Sequence, residues 1–249
     1  MNTPRCQPAR ATDTTKPRDN QLLAGLAEAE WGRWQPYLER VDLALGEVLS
    51  ESGHTPAYVY FPTTAIVSLL YVTQDGASSE IAVVGKDGVV GISLFMGGNA
   101  TPSQAVVQSA GQAYRLRAQA VKEEVDRAGP VLMMFLRYTQ TLIAQVAQTA
   151  ACNRYHSIDQ LLCRRLLMGL DRLPSAAMVM TQELLANLLG VRREGVTAAA
   201  LKLQQAGVIR YSRGRIDVLD RELLERRLGG SPAVAAGDYF GASDLPLAA

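Results

Sequence analysis

Cysteine and histidine are scarce in this chain of 249 residues, which has three cysteines and two histidines. The cysteines Cys6, Cys152 and Cys163 are far apart and form no Cys-x-x-Cys pair. This usage is typical of a reduced cytoplasm and argues against a disulfide scaffold. Two histidines exclude a metal site that is built from several imidazoles. The sequence therefore predicts neither a metal nor another cofactor.

Long apolar runs and a strong net charge are also missing. No stretch approaches the roughly 18 uninterrupted apolar residues that span a bilayer, and no basic start with an apolar run marks a secretory signal. We therefore expect a soluble cytoplasmic protein without a membrane partner. The net charge is +1, but residues 150–228 carry 13 Lys/Arg against 8 Asp/Glu, and residues 21–149 carry 8 against 12. This distribution predicts that only the C-terminal part meets phosphate groups.

The last region before the C-terminal tail has the pattern of a DNA-reading element. Thr181 is a good N-cap for a short helix, and Gly190 ends that helix because glycine tolerates positive φ. A second helix is predicted over about Arg193–Gln205. Two strands follow at Val208–Tyr211 and Arg215–Leu219, joined by a Ser-Arg-Gly turn. Helix, turn, helix and hairpin in this order predict a winged helix-turn-helix.

Polar residues at the start of the second helix are candidates for contacts with DNA bases. The N-terminal residues of a recognition helix lie at the base edges, where Arg can pair with guanine and Glu can accept from cytosine. The predicted DNA-binding residues are Thr181, Arg192, Arg193, Glu194, Thr197, Arg213 and Arg215. The alternative is that these are solvated residues of an ordinary helix.

The N-terminal half has a different periodicity. Between Val41 and Arg117, short β-type runs alternate with turn residues, which predicts an antiparallel barrel or sandwich. The predicted organisation is a disordered N-terminus (1–20), a β-rich domain (21–129), a dimerisation helix (130–152), a DNA-binding domain (153–228) and a flexible tail (229–249). The N-terminus is polar and rich in Pro, Thr and Arg, and the tail is rich in Gly, Ala and Pro, which is the basis for both predictions.

The long helix has apolar or Thr residues at spacings of 4, 3, 4 and 3, which is typical of a coiled-coil seam. The seam positions are Phe135, Thr139, Leu142, Val146 and Thr149. This pattern predicts a homodimer interface. The alternative is that the same face packs against the barrel of its own chain.

A further amphipathic helix is predicted over Ile158–Leu173. Its leucines are expected to face inward, and its arginines Arg164, Arg165 and Arg172 are expected to face outward.

The chain resembles the CRP/FNR family of bacterial transcription regulators over about Leu22–Leu228. The resemblance is strongest over Thr181–Thr197, where Arg193-Glu194 match the pair that opens the family's recognition helix. The family often has a further arginine later in this helix, where this chain has Ala198.

This resemblance implies an α+β fold with three parts: a cyclic-nucleotide-binding-like antiparallel β-barrel (a cupin-type roll), a long dimerisation helix and a C-terminal winged helix-turn-helix. It also implies a regulator that acts as a homodimer on an inverted repeat. The expected partners are double-stranded DNA, a second copy of the chain and, if the protein activates transcription, RNA polymerase.

The roll resembles the family's cyclic-nucleotide-binding fold through the run Gly85–Gly91 and the following Leu94-Phe95. Members that bind cyclic AMP have a Glu after the last of these glycines and an Arg-Ser or Arg-Thr pair before an Ala. Here Ile92 follows the glycine, and Ser103-Gln104 precede the alanine. A buried phosphate without its cation is strongly penalised, so we expect no control by cyclic AMP. The predicted effector-pocket residues are Gly91, Ile92, Ser93, Ser103 and Gln104.

Other sensing chemistries of the family fit this chain poorly. An iron–sulfur sensor needs four cysteines. His54 and His156 are interpreted as a turn residue and a hinge residue and not as haem ligands, while a redox switch of Cys152 and Cys163 stays open beside inert buried thiols. The alternative function is a small-molecule-binding module whose winged helix mediates protein contacts. An enzyme is the least favoured class, because the sequence has no phosphate loop or nucleophile motif.

Overall fold

The structure is a computed structural model, which describes residues 15–74, 76, 78–97, 100–173 and 177–229. The helices are α1 (Gln21–Ala24), α2 (Glu28–Trp34), α3 (Ala118–Asp126), α4 (Pro130–Tyr155), α5 (Ile158–Arg172), α6 (Gln182–Leu189), α7 (Arg193–Gln205) and α8 (Arg221–Arg227). The strands are β1 (Glu39–Leu43), β2 (Val48–Ser50), β3 (Tyr58–Pro62), β4 (Ile66–Val72), β5 (Ser78–Val84), β6 (Gln104–Ser109), β7 (Gly111–Arg117), β8 (Ala177–Val179), β9 (Ile209–Ser212) and β10 (Arg215–Val218).

The N-terminal domain, residues 15–129, is an antiparallel roll made of two sheets. One sheet has the order β1-β7-β3, and the other has the order β2-β6-β4-β5. Alternate residues of the strands face the interior, as the period of a strand requires. The four-stranded sheet contributes residues such as Val67, Val84 and Val107 to the core, each at most 1% exposed. The mixed fold with an N-terminal antiparallel roll is therefore confirmed.

Residues just before the first helix are well packed. The Thr15 hydroxyl donates to Gln112 Oε1 at 2.8 Å. Asn20 is fully buried; its carboxamide oxygen caps α1, and its nitrogen donates to the carbonyls of Pro62 and Gly88 at 2.9 Å. The predicted disorder of residues 1–20 is therefore wrong for residues 15–20, because side-chain hydrogen bonds fix this segment on the roll. Residues 1–14, including Cys6, and residues 230–249 lie outside the described residues.

Helix α4 joins the two domains and packs along the N-terminal one. Phe135, Thr139 and Leu142 are at most 6% exposed, and Val146 packs in the same core as Leu142. The predicted dimer seam therefore faces the chain's own roll, and its assignment to a dimer interface is wrong. The physical reason is that the roll leaves aromatic groups such as Trp34 uncovered unless α4 closes over them.

Strand β5 lies at the edge of its sheet, and α4 runs beside it. The Val83 backbone N–H donates to Gln145 Oε1 at 3.3 Å, so a side chain of α4 pairs with this strand.

The C-terminal domain, residues 157–229, contains α5–α8 and the sheet β8-β10-β9. Its core is formed by leucines of α5 with Leu185, Val196 and Ile216, which are fully buried. Strand β8, which pairs with β10, was not anticipated from the sequence. In the described part of the chain, no helix is long and apolar enough to cross a bilayer.

The arginines of α5 are not outward-facing. Arg164, Arg165 and Arg172 are 8%, 2% and 3% exposed and lie between the two domains. The prediction is wrong because α5 is covered on two sides. Its leucines face its own domain, Arg165 and Arg172 pair with Glu80 and Asp87 of the N-terminal domain, and Arg164 donates to the Thr149 hydroxyl on α4.

Candidate DNA interface

Helices α6 and α7 form a helix-turn-helix with the predicted boundaries. The Thr181 hydroxyl accepts from the Leu184 N–H at 3.1 Å and caps α6. Gly190 has φ +64° and ψ +32°, a left-handed conformation that ends α6 and that glycine adopts at little cost. Helix α7 buries Val196, Ala199, Ala200 and Leu203. Leu201 of the same helix is 54% exposed and is not part of this buried face.

The opposite face of α7 is open at its N-terminal end. Arg192, Arg193, Glu194 and Thr197 are all exposed. The first N–H groups of an α-helix have no partner inside the helix and carry a partial positive charge. This end of α7 is therefore suited to an anionic ligand, and Arg193 adds a full positive charge.

The wing is a hairpin of β9 and β10. Ser212 pairs with Arg215, and Arg213 and Gly214 between them have φ values of +51° and +75°. Positive φ at both central residues is typical of a tight hairpin turn that follows the twist of its strands. The turn places the Arg213 side chain at the tip of the wing.

Recognition helix and wing enclose an open cavity of about 290 Å³. Its lining residues are Thr181, Gln182, Arg193, Gln204, Tyr211, Ser212, Arg213 and Gly214. Two guanidinium groups, Arg193 and Arg213, therefore share one concave surface beside the N-terminus of α6. Such a combination of cations, amides and a helix N-terminus suits a phosphate group.

Tyr211 also lines this cavity. Its hydroxyl donates to the Met180 carbonyl at 2.8 Å. Burial raises the pKa of the Tyr211 hydroxyl, and the positive charge of Arg193 opposes this rise. The tyrosine is therefore a neutral donor that ties the wing to the strand before α6.

Besides Thr181, two of the predicted residues have protein partners. The Thr197 hydroxyl lies 2.8 Å from Gln182 Oε1 and 3.0 Å from the Arg193 carbonyl, and its single proton serves one of them at a time. Arg215 Nε lies 3.0 Å from Asp217 Oδ1, which offsets part of its charge. Gln182 was not predicted; its place at the first position of α6 and its contact with α7 became visible only in the fold.

The predicted effector-pocket residues lie on two segments of the roll, Gly91–Ser93 and Ser103–Gln104. Gly91 has φ +107° and opens the short 3-10 helix Ile92–Leu94. The Gln104 amide donates to Glu51 Oε2 at 2.7 Å on the surface, whereas Ser103 is buried. The Ser93 hydroxyl is buried and has no hydrogen-bond partner among the described residues.

Between its strands the roll has a cluster of apolar side chains that includes Leu43, Val67 and Leu69. The buried carboxylates Glu124 and Glu80 pair with Arg33 and Arg165. Cys152 and Cys163 are both free and buried, and burial raises the pKa of the Cys163 thiol to about 11. In the described chain, no three His, Cys, Asp or Glu side chains form a group that could hold a metal ion.

Comparisons with known proteins agree with this architecture. The profile of the cyclic nucleotide-binding domain matches residues 40–128, and that of the Crp-like helix-turn-helix domain matches residues 160–227. Together they cover more than half of the chain, which belongs to the CRP/FNR family of transcriptional regulators. It is thus a transcription regulator with a helix-turn-helix that binds DNA. No curated protein sequence matches the chain.

Several solved structures share the fold. A putative CRP/FNR-family regulator from Eubacterium rectale is 17% identical, with a TM-score of 0.67 over 85% of this chain and 99% of its own. FixK2 from Bradyrhizobium japonicum is 16% identical, with a TM-score of 0.65 over 76% and 96%. The c-di-GMP-responsive regulator CLP from Xanthomonas campestris is 14% identical, with a TM-score of 0.61 over 78% and 100%.

Proposed function

We propose that this regulator binds an inverted-repeat DNA site as a homodimer and that cyclic AMP does not control it. The dimer is supported by a second stripe on α4, opposite the face that packs on the roll. This exposed seam has the heptad spacing 3, 4, 3, 4 and consists of Met133, Leu136, Gln140, Ile143 and Ala147. Met133, Leu136 and Ile143 are 52%, 47% and 61% exposed.

A second copy of α4 is the occupant that this seam favours. Large apolar side chains exposed in a heptad row are stabilised by the equivalent row of another helix. A two-fold dimer places its recognition helices about 34 Å apart, one turn of DNA, so that both enter the major groove on the same side. The operator is then an inverted repeat.

Independence from cyclic AMP is supported by the residues of the roll. Ile92 and Ser103 stand where cyclic-AMP-binding relatives carry the acid and the arginine. Ile92 packs against both apolar clusters of the N-terminal domain, and Ser103 is buried and carries no charge. A cyclic phosphate placed here would lose its water without gaining a cation.

The DNA contacts divide into two groups. Arg192, Arg193 and Glu194 at the start of α7 are proposed to meet base edges. Arg213 and Arg215 of the wing, with the capped N-terminus of α6 at Thr181, are proposed to bind phosphates. Thr197 is proposed to orient the Gln182 amide, whose carbonyl faces the Thr197 hydroxyl, so that its NH₂ group is free to donate to DNA.

We further propose that the protein works in the cytoplasm, catalyses no reaction and, where it activates transcription, contacts RNA polymerase. These points are supported by membership of a family of transcriptional regulators.

The experiment is a selection of genomic fragments with the purified full chain at stated salt, without ligand and then with cyclic AMP. We expect an inverted repeat in both selections. Sedimentation of the same protein should give a dimer, and titration calorimetry should show no saturable uptake of cyclic AMP. A monomer on DNA contradicts the first half of the proposal, and tight nucleotide binding contradicts the second.

A further inference from the structure

The recognition helix α7 has an exposed apolar part that the DNA contacts proposed above do not use. Leu201 is 54% exposed, and Ala198, one turn before it, is also exposed. Neither belongs to the buried face of the helix, which consists of Val196, Ala199, Ala200 and Leu203. A single exposed leucine is ordinary on a protein surface, so its neighbours decide what it can do.

Leu201 belongs to a row of four residues on the side of α7 opposite its buried face. Residues at spacings of 4, 3 and 4 lie above one another, because a helix has 3.6 residues per turn. The outward row, as we call it, consists of Glu194, Ala198, Leu201 and Gln205, which are all exposed. Glu194 is the member that is proposed above to meet a base edge. Ala198 and Leu201 follow it on the same side, roughly 6 and 10.5 Å further along the helix axis.

Contacts on both sides of α7 fix the direction of the outward row. On one side, Lys202 Nζ lies 2.9 Å from Asp159 Oδ2 at the start of α5. On the other side, Arg193 and Gln204 line the cavity that α7 shares with the wing. The outward row lies between these two flanks. It is therefore on the surface that a recognition helix presents to the major groove.

The outward row carries no positive charge. Its charged member is Glu194, whose carboxylate is repelled by phosphate groups. The arginines that are proposed for DNA contacts lie beside the row, at Arg192 and Arg193, or on the wing. The outward row is therefore better suited to base edges than to the DNA backbone.

The base that suits Ala198 and Leu201 is thymine. In the major groove, thymine presents a C5 methyl group, whereas guanine presents two acceptors and cytosine presents an amino donor. A leucine against guanine or cytosine takes water from these polar groups without replacing its hydrogen bonds. A leucine against the methyl group removes apolar surface from water on both sides of the contact. Apolar side chains at these two positions therefore favour an A·T pair and disfavour a G·C pair.

We propose that Ala198 and Leu201 are specificity-determining residues, which select thymine in each half-site by contact with its C5 methyl group. The thymine lies within about three base pairs of the pair that Glu194 meets, because the row extends roughly 10.5 Å beyond Glu194 and one base step is about 3.4 Å. The proposal rests on the base contacts that are proposed above for the start of α7.

The first test removes the methyl group and nothing else. The probe is the inverted repeat recovered by the genomic selection, with deoxyuridine in place of thymidine at one position of each half-site in turn. Uracil keeps every hydrogen-bonding group of thymine, so a loss of affinity reports on the methyl contact. We expect one or two positions at which the full chain loses affinity by about fourfold per half-site, the factor that corresponds to one buried methyl-sized group.

The second test assigns the contact to its residues. The double variant Ala198→Ser/Leu201→Ser should bind the thymine and uracil probes with equal affinity, because its outward row no longer offers an apolar surface. The control Ala57→Ser/Leu219→Ser makes the same two changes at exposed positions outside α7 and should still prefer thymine. Circular dichroism checks that both variants are folded.

The outcomes separate this proposal from the one on which it rests. Equal affinity of the unchanged protein for thymine and uracil at every position, or a recovered half-site without thymine, overturns the methyl contact and leaves DNA recognition in place. A double variant that still distinguishes the two bases overturns the assignment to Ala198 and Leu201. A selection that recovers no preferred sequence overturns the base contacts of α7 as a whole.

Discussion

The rings of Phe95 and Phe135 stack face to face, with 4.2 Å between their centroids and 6° between their planes. Phe95 directly follows the short helix that Gly91 opens, and Phe135 belongs to α4. The stack therefore connects the segment that contains Gly91, Ile92 and Ser93 of the predicted effector pocket to the helix that leads to the DNA-binding domain. Trp34, 5.9 Å from Phe135 between ring centroids, completes the cluster.

Phe135→Ala should lower the free energy of unfolding by about 3–5 kcal/mol, because a fully buried ring leaves a cavity among rings that cannot close on it. Urea denaturation of the full chain measures the change. The control Arg137→Ala alters an exposed neighbour on the same helix and should cost under about 0.5 kcal/mol. Equal effects of the two changes would contradict the assigned core.

Ile143→Glu should convert the proposed dimer into a monomer at micromolar concentration. A charge in an apolar heptad row must lose water or hold the helices apart. Sedimentation velocity measures the oligomeric state. Leu45→Glu makes the same change at a site that is 53% exposed and outside the exposed seam, so it should leave the dimer intact. A dimer that survives Ile143→Glu places the interface elsewhere.

Arg213→Ala should weaken binding to all duplexes alike and reduce the slope of log affinity against log salt by about 1 per half-site, or about 2 for the dimer, as expected for one lost phosphate contact in each subunit. Arg193→Ala should cost about 1–3 kcal/mol per half-site and relax the base preference at one position of each half-site. Binding titrations over a salt series and a panel of single-base operator variants measure both effects.

Arg40→Ala removes an equal charge from the N-terminal domain and serves as the control for these two changes. Arg193 and Arg213 line one cavity, so both variants are measured on the same duplexes. A changed base preference in Arg213→Ala would contradict the proposed phosphate contact of Arg213.

Gly88→Ala should destabilise the chain by about 1–3 kcal/mol through overpacking. An added Cβ would lie 2.5 Å from the Tyr138 hydroxyl oxygen and 2.7 Å from Tyr138 Cε2. The control is Gly32→Ala in α2, where an added Cβ meets nothing within 4 Å. Because alanine is the better helix former, that control should be neutral or stabilising by roughly 0.5–1 kcal/mol. Thermal unfolding distinguishes the two variants.

Glu124 should contribute to stability only above acidic pH. Arg33 binds its carboxylate through two nitrogens, at 2.6 and 2.8 Å, and this pairing lowers the pKa of Glu124 below its ordinary value of 4.5. A lowered folded-state pKa gives stability that is present above the unfolded-state pKa and lost as pH falls through the folded one. Glu124→Gln should therefore flatten the acid limb of a plot of unfolding free energy against pH. The neighbouring exposed Glu123→Gln should leave that limb steep.

The helix-turn-helix was predictable from local sequence signals. A single backbone conformation is favoured at Thr181, at Gly190 and in the wing turn, whatever the rest of the fold. The order of these signals along the chain was therefore sufficient to predict the motif. The effector-pocket residues lie on separate segments, and the contacts of Ser103 and Gln104 depend on how those segments fold over one another.

The two faces of α4 and α5 were less predictable for one physical reason. Each of these helices carries two rows of residues on different faces. The periodicity of the sequence shows the rows but does not tell which partner each row contacts. On α4 the stripe with Phe135 and Leu142 meets the roll, and the stripe with Leu136 and Ile143 stays exposed. On α5 the arginines have the sequence pattern of a solvated face. Only the fold shows that Glu80 and Asp87, from the N-terminal domain, lie beside them.

The hydrogen bond from the Val83 N–H to Gln145 Oε1 also bears on aggregation. A strand at the end of a sheet offers unpaired backbone groups to any other extended chain. Because α4 lies along β5 and supplies a side-chain acceptor, the backbone groups of this edge strand are less available to another chain in the folded protein. Displacement of α4 would uncover it, so the helix that connects the domains also protects the roll from intermolecular β-pairing.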